Sequence, residues 1–322
     1  MPSWSEILDE INVLLHKEKN DQAFDVIRNK YLKHLCDYTK RDVIVYAADW
    51  TGSGLHPELV SINDGDIQGF MQAIYRLKNP NLDLILHTGG GSAEATEAIV
   101  SYLRQKFTHI RVFIPQAAMS AGTMLACAGD EIWMGKQSSI GPIDPQFILQ
   151  TSVGPQAFPA QAILDQFDLA QKECIQDPRK LQSWYPMLGQ FGPALLVRCR
   201  DQIDFGKSVV NNWLKSYMFK DLPDSNLPEK ISDYLSDHSN FKTHGKHIDI
   251  NLARDNGLKV FALEDDQTLQ DLILSVFHSV TLSLSQTSAA KLITNNIGGC
   301  FVKNAKKMTN NRLIHQVVNI PS

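Results

Sequence analysis

Long apolar runs are missing from this chain. The greasiest stretches, residues 82–86 and 123–128, fall far short of the roughly 20 residues that a helix needs to cross a bilayer, so a membrane span is excluded. Lysine and arginine are absent from the first ten residues, and no apolar block follows them closely, so no export signal is expected. Cysteine is sparse: the five, Cys36, Cys127, Cys174, Cys199 and Cys300, are odd in number, widely spaced and form no CxxC pair. That pattern argues against a disulfide framework and a cysteine zinc site and predicts reduced thiols in a cytoplasmic protein. A surplus of charge is lacking as well. The net charge of -4 gives no general pull toward nucleic acid or an anionic membrane, so nucleic acid is not an expected partner. HExxH and dinucleotide fingerprints are absent, and His238, His244 and His247 do not stand at metal-binding spacing. Neither a metal nor a cofactor is expected.

What remains is ordinary globular material: 322 residues, 43% hydrophobic and 20% charged, enough for an enzyme with one large core or two modest ones. Up to residue 41, Ile7, Ile11, Leu14 and Leu15, then Phe24, Ile27, Tyr31 and Leu35, recur at helical spacing and predict an N-terminal helical cap. Beyond it, short apolar runs at 43–47, 82–87, 110–114 and 132–134 predict strands. Helical periods lie between them. One carries Ile67, Phe70, Met71, Ile74 and Leu77 after a cap at Asp64 or Asp66; another carries Ala95, Ala98, Ile99, Tyr102 and Leu103 after Ser92. This alternation predicts an α/β core of parallel strands with right-handed crossovers, its functional groups gathered where strands end and helices begin. Helices expected at 161–176, 193–219, 228–235 and 268–284 form a helical C-terminal extension of a main domain at 42–295. Residues 296–322, with Lys303, Lys306, Lys307 and Arg312 and no acid, read as a basic tail.

Two strand ends carry unusual turns. In Leu84-Ile85-Leu86-His87-Thr88-Gly89-Gly90-Gly91-Ser92 a buried strand runs into three glycines and then a helix. Without Cβ atoms in the way, backbone N–H groups there can point inward and hold a developing oxyanion; a tight turn without a ligand is the plainer reading. In Ala117-Ala118-Met119-Ser120-Ala121-Gly122-Thr123 a serine enters a helix of small residues directly after a strand, as a nucleophile would, or simply as an N-cap. Adjacent parallel strands would set Ser120 beside Gly90 and Gly91, which makes the two signals one candidate site. The GxSxG elbow is a poor fit, because Ala118 stands where it needs glycine.

The runs LHTGGG and MSAGTMLACAGDEIWMGKQSSIGPIDPQ resemble the serine dehydrogenase proteinase family, a prokaryotic relative of signal peptide peptidase A and of the Clp protease proteolytic subunit. The likeness covers residues 40–150 and continues more weakly to residue 295. It implies a Clp peptidase/crotonase-like fold, serine endopeptidase activity on extended or unfolded polypeptides, and a homo-oligomer. Carried across, the nucleophile falls on Ser120 and the oxyanion donors on the amides of Gly90, Gly91 and Ala121. The proline that the family places before the glycine pair is Gly89 here.

For the general base the residues leave alternatives. Residues 139–145, where Clp peptidases carry their histidine, contain none. Signal peptide peptidases use a lysine downstream of the serine, and Lys172 stands at the matching place within a predicted helix; Lys207, His87 and His244 are the other candidates. A lysine serves only if burial brings its pKa toward neutrality. Asp144 would orient the base or brace the turn between Pro142 and Pro145. Two other functions stay open: a non-catalytic scaffold of the same fold that binds a peptide or partner, and an acyl-CoA enzyme of the crotonase type.

Overall fold

The computed structural model describes residues 3–17, 22–52, 54–151, 153–223, 225–305 and 317–318. It opens with α1 (Trp4–Asn12) and α2 (Ala23–Thr39), followed by β1 (Asp42–Ala48), the short α3 (Pro57–Val60), α4 (Asp66–Ile74) and β2 (Asn81–His87). Then come α5 (Ala93–Lys106), β3 (His109–Ile114), the two-residue β4 (Ala117–Ala118), α6 (Ala121–Cys127), β5 (Glu131–Met134) and a second short strand, β6 (Ser139–Ile140). A hairpin of β7 (Gln146–Thr151) and β8 (Gly154–Pro159) leads into α7 (Ala160–Gln176), α8 (Leu181–Leu188) and α9 (Leu195–Trp213). The last third holds α10 (Leu227–Ser236), α11 (His238–Phe241), α12 (Ile250–Asp255), β9 (Val260–Ala262) and α13 (Gln267–Gln286), and closes with β10 (Ala289–Asn295), β11 (Cys300–Asn304) and β12 (Val317–Val318).

Eight strands make one sheet in the order β12-β11-β10-β1-β2-β3-β5-β9. Neighbours from β1 to β9 run parallel, and β10 turns the other edge antiparallel through β11 and β12. Both faces are covered, which is why the central strands are apolar over most of their length. Ile44, Tyr46, Leu84 and Leu86 pack toward α4, α5 and α6, while Val43, Val45 and Ile85 pack toward α1, α2 and α13. Parallel strands present their C-terminal ends on one edge. There β4 and β6 pair as a separate small parallel sheet, and Thr88, just past β2, is bridged to Ala118.

Strands expected at 43–47, 82–87, 110–114 and 132–134 are β1, β2, β3 and β5, and the cap of two N-terminal helices is present. Other expectations change. β11 lies inside the stretch read as a tail, and its Lys303 bonds a buried carboxylate instead of facing solvent; Lys306, Lys307 and Arg312 lie outside the described residues. The helix α4 has Gly65 at its N-cap and no side-chain cap, because the Asp66 carboxylate is committed to lysines. Among the described residues no helix is long and apolar enough to cross a membrane.

Candidate active site

The glycine turn is shaped by its neighbours on two sides. Gly90 has φ +103°, and a Cβ on it would stand 2.7 Å from both the Met119 carbonyl oxygen and the Ser120 Cβ and 3.1 Å from the Ala121 nitrogen. Gly91 lies against the 61–63 segment, where a Cβ would collide with the Ile62 backbone. Ile62 N–H donates to Gly90 O at 2.8 Å, and Ser92 N–H donates to Ile62 O at 2.9 Å. Both glycines are therefore required by close approach of another backbone, the condition that only glycine meets. The Gly90 N–H donates to Thr88 Oγ1 at 3.1 Å, which commits one of the three expected amides within the turn. Across the peptide unit, the Gly91 N–H must point opposite to Gly90 O, hence away from Ile62.

Ser120 sits at the N-cap of α6 with φ 52° and ψ -119°, a conformation that costs a non-glycine residue of order 1–3 kcal/mol. Its side chain makes no capping bond. The turn is held by Thr88 N–H to Ala117 O (3.0 Å), Met119 N–H to Thr88 O (2.9 Å) and Gly122 N–H to Met119 O (2.8 Å). The strained strand-to-helix turn thus exists without the GxSxG pattern, and Gly122 serves a different need, since a Cβ there would press on Thr88 Cγ2. Ser120, Ala121, Gly90 and Gly91 come together as the pairing of strand ends predicted.

The second half of the site comes from β6. Gly141 N–H donates to Thr123 Oγ1 at 2.9 Å, and a Cβ on Gly141 would stand 3.6 Å from the Met119 Cα, so this chain runs beside the residue preceding Ser120. It continues to Asp144, a buried carboxylate. Asp144 Oδ1 meets His244 Nδ1 at 2.6 Å, while Oδ2 meets His238 Nδ1 at 3.0 Å and Gln146 Nε2 at 3.1 Å. A carboxylate oxygen accepts, so each imidazole presents Nδ1–H to it, and the neutral form of such a ring carries its lone pair on Nε2. The loop carrying His244 is tied down by Ile248, which exchanges two backbone bonds with Ile140, and by His247 Nδ1, 2.7 Å from Ser139 Oγ.

The remaining base candidates lie elsewhere. Lys172 is exposed on α7, without the burial that a lysine base requires. Lys207 is paired with Asp233 at 2.6 Å, and that hydrogen bond raises its pKa, which fixes the charged form. His87 faces the α13 side of the sheet, with Trp50 and Phe277 rings at 5.9 and 5.2 Å; burial there pushes its pKa down to about 4. The Asp144–histidine pairing spans residues far apart in the chain; the sequence offered His244 as one base candidate and Asp144 as an orienting group, with nothing local to join the two. No group of three or more histidine, cysteine or acidic side chains among the described residues is arranged to hold a metal.

Comparison with known proteins gives a family and a fold. The model of the ClpP-like SDH-type serine proteinases matches residues 17–181, just over half of the chain, which takes in the glycine turn, Ser120 and Asp144. Two uncharacterised proteins of Methanocaldococcus jannaschii are similar: one is 42% identical over 86 residues, 27% of this chain and 27% of that protein. The other is 34% identical over 128 residues, 39% of this chain and 45% of that protein. The chain thus spans less than half the length of either relative. Among solved structures, a mutant of a membrane-bound stomatin-specific protease is similar at 15% identity and TM-score 0.28, covering 63% of this chain and 92% of that one. Another mutant of it, in complex with a substrate peptide, is similar at 16% identity and TM-score 0.29, covering 66% and 93%. The mostly parallel sheet with its helices is the ClpP-like fold.

Proposed function

The chain belongs to the ClpP-like SDH-type serine proteinase family, and from that premise we propose a peptidase in which Ser120 is the nucleophile, His244 its base and Asp144 the group that orients the base. The observation that carries this reading is the strained turn pressing Ser120 against Gly90, with the chain that runs alongside it leading to Asp144, to which His244 is bonded. As Ser120 Oγ bonds to the substrate carbonyl carbon, its proton passes to His244 Nε2, and the carbonyl oxygen becomes negative. The amides of Gly91 and Ala121 stabilise that oxyanion. His244 then protonates the leaving amine as the carbon–nitrogen bond breaks, leaving an acyl-serine. Water, deprotonated by His244 in turn, releases the acid and restores the hydroxyl.

His244 is preferred to His238 because its bond to Asp144 is the shorter and it has Oδ1 to itself, whereas His238 shares Oδ2 with Gln146. The substrate is an extended polypeptide segment laid as an added strand along Gly91, whose other flank is occupied by Ile62. Labelling with a fluorophosphonate tests the reading. Modification at Ser120, together with loss of unfolded-polypeptide hydrolysis by at least about a thousandfold in Ser120→Ala, is the expected result. Absence of labelling in folded protein would instead make the chain a non-catalytic peptide-binding scaffold, and acyl-CoA binding in a thermal-shift screen would point to crotonase-type chemistry.

A further inference from the structure

A buried lysine stands behind the glycine turn. Lys291, in β10, and Asp66, at the start of α4, are both 0% exposed, and the Lys291 Nζ reaches Asp66 Oδ1 at 2.9 Å and Oδ2 at 2.8 Å. Its third proton goes to the Ser61 carbonyl oxygen at 2.7 Å. All three ammonium donors are thus used, one of them on a backbone carbonyl that belongs to no helix or strand.

That carbonyl belongs to the same peptide unit as the Ile62 N–H, which donates to Gly90 O at 2.8 Å. Gly90 C=O in turn shares a peptide unit with the Gly91 N–H. Both units are trans, so within each one the N–H points away from the C=O. The result is a single file: ammonium, peptide 61–62, peptide 90–91, and then an N–H aimed away from Ile62. Each bond in such a file polarises the next, and in a low-dielectric interior a full charge at its head strengthens the donor at its end. The cluster is not neutral, since Lys303 Nζ also bonds Asp66 Oδ1 at 2.7 Å, setting two ammonium groups against one carboxylate. Asp66 braces the same segment by accepting Asn63 N–H at 3.1 Å and Tyr46 OH at 2.8 Å.

We propose that Lys291 is a positioning residue that orients and polarises the Gly91 N–H through these two peptide units, making it a stronger oxyanion donor. This rests on the peptidase reading for its effect on rate, but not for its effect on the amide itself. The charged and titratable groups facing Lys291 are Asp66 from α4, Lys303 from β11 and Tyr46 from β1. Burial, aided by Lys303 and opposed by Asp66, lowers the Lys291 pKa to about 8, whereas Tyr46 is pushed well above its ordinary range and stays a neutral donor. The ammonium is the polarising form, so the effect is full below that pH and fades above it.

The test follows the Gly91 amide by NMR in glycine-labelled protein across this pH range, alongside kcat and KM for peptide hydrolysis, in wild type, Lys291→Met and Lys303→Met. In the wild type the Gly91 proton resonance should move upfield as pH rises through about 8. The step should vanish in Lys291→Met, and its midpoint should rise in Lys303→Met, where a repelling charge is removed. Hydrolysis by Lys291→Met should lose about tenfold or more in kcat with KM nearly unchanged, and should lack the alkaline fall of the wild type. A Gly91 resonance indifferent to pH in the wild type overturns the proposal without any variant having to fold. So does an equal loss in both lysine variants that tracks their thermal stability. If the wild type cleaves no peptide, the peptidase reading fails while the amide titration still decides the relay.

Discussion

Asp144 receives two imidazoles, and the chemistry asked of each is different. In the proposed mechanism His244 accepts the Ser120 proton, so His244→Ala should lower kcat by on the order of a thousandfold or more, with thermal stability little changed. His238→Gln keeps a donor near Asp144 Oδ2 and should cost about tenfold or less, as loss of a neighbour that orients a carboxylate. Steady-state kinetics of the two variants ranks them, and the opposite ranking would move the base to His238. At this scale the sequence pointed to Ser120 through its place between a strand and a run of small residues, and to Gly90 and Gly91 through their lack of side chains. For the base it named Lys172 first and left Lys207, His87 and His244 open; Lys172 is exposed, and the pairing of Asp144 with His244 depends on two segments that meet only when Ile140 and Ile248 exchange backbone bonds.

The elements explain why the glycines cannot vary. Gly91→Ala would drive a Cβ into the Ile62 backbone, separating the bridge that holds Gly90 O and swinging the Gly91 N–H off its line. The expected outcome is a loss of about a hundredfold or more in fluorophosphonate labelling rate at Ser120, with a stability cost of about 1–3 kcal/mol in a denaturant titration. β1, β2, β3 and β5 were legible because strands buried on both faces are continuous apolar runs. β10 was not, because Lys291, Thr294 and Asn295 interrupt its apolar pattern although all three are buried. The lysine and the asparagine have partners that only the fold supplies: Lys291 on Asp66 and Ser61, and Asn295 Nδ2 on Ala73 O at 2.7 Å. A buried polar residue with partners leaves the same mark on a single sequence as an exposed one.

At the scale of the molecule, ion pairs fasten the helices to the sheet. Asp130, between α6 and β5, accepts Ile110 N–H at 2.8 Å, Arg104 Nη1 at 2.8 Å and Lys220 Nζ at 3.2 Å. Burial alone would raise its pKa, but the Ile110 amide and the Arg104 guanidinium outweigh it and hold the carboxyl below its ordinary value. A carboxyl depressed in the folded state contributes stability above its unfolded pKa, about 4, and loses that contribution as pH falls through the lower folded value. Asp130→Ala should therefore cost about 3 kcal/mol or more at neutral pH and much less in acid, read from denaturant midpoints at both. Ile148 of the β7–β8 hairpin and Ile175 of α7 are 73% and 82% exposed, and we propose that self-association of the chain covers them. Replacing both by aspartate should shift sedimentation toward the protomer. The amino-acid order by itself determined the α/β class, four of the parallel strands and the serine opposite a glycine turn, because those rest on local periodicity and on residues too small to do anything else. Which histidine meets Asp144, where Lys291 is buried and which amide it faces were decided only by the tertiary structure, because each depends on bringing together segments that no local pattern connects.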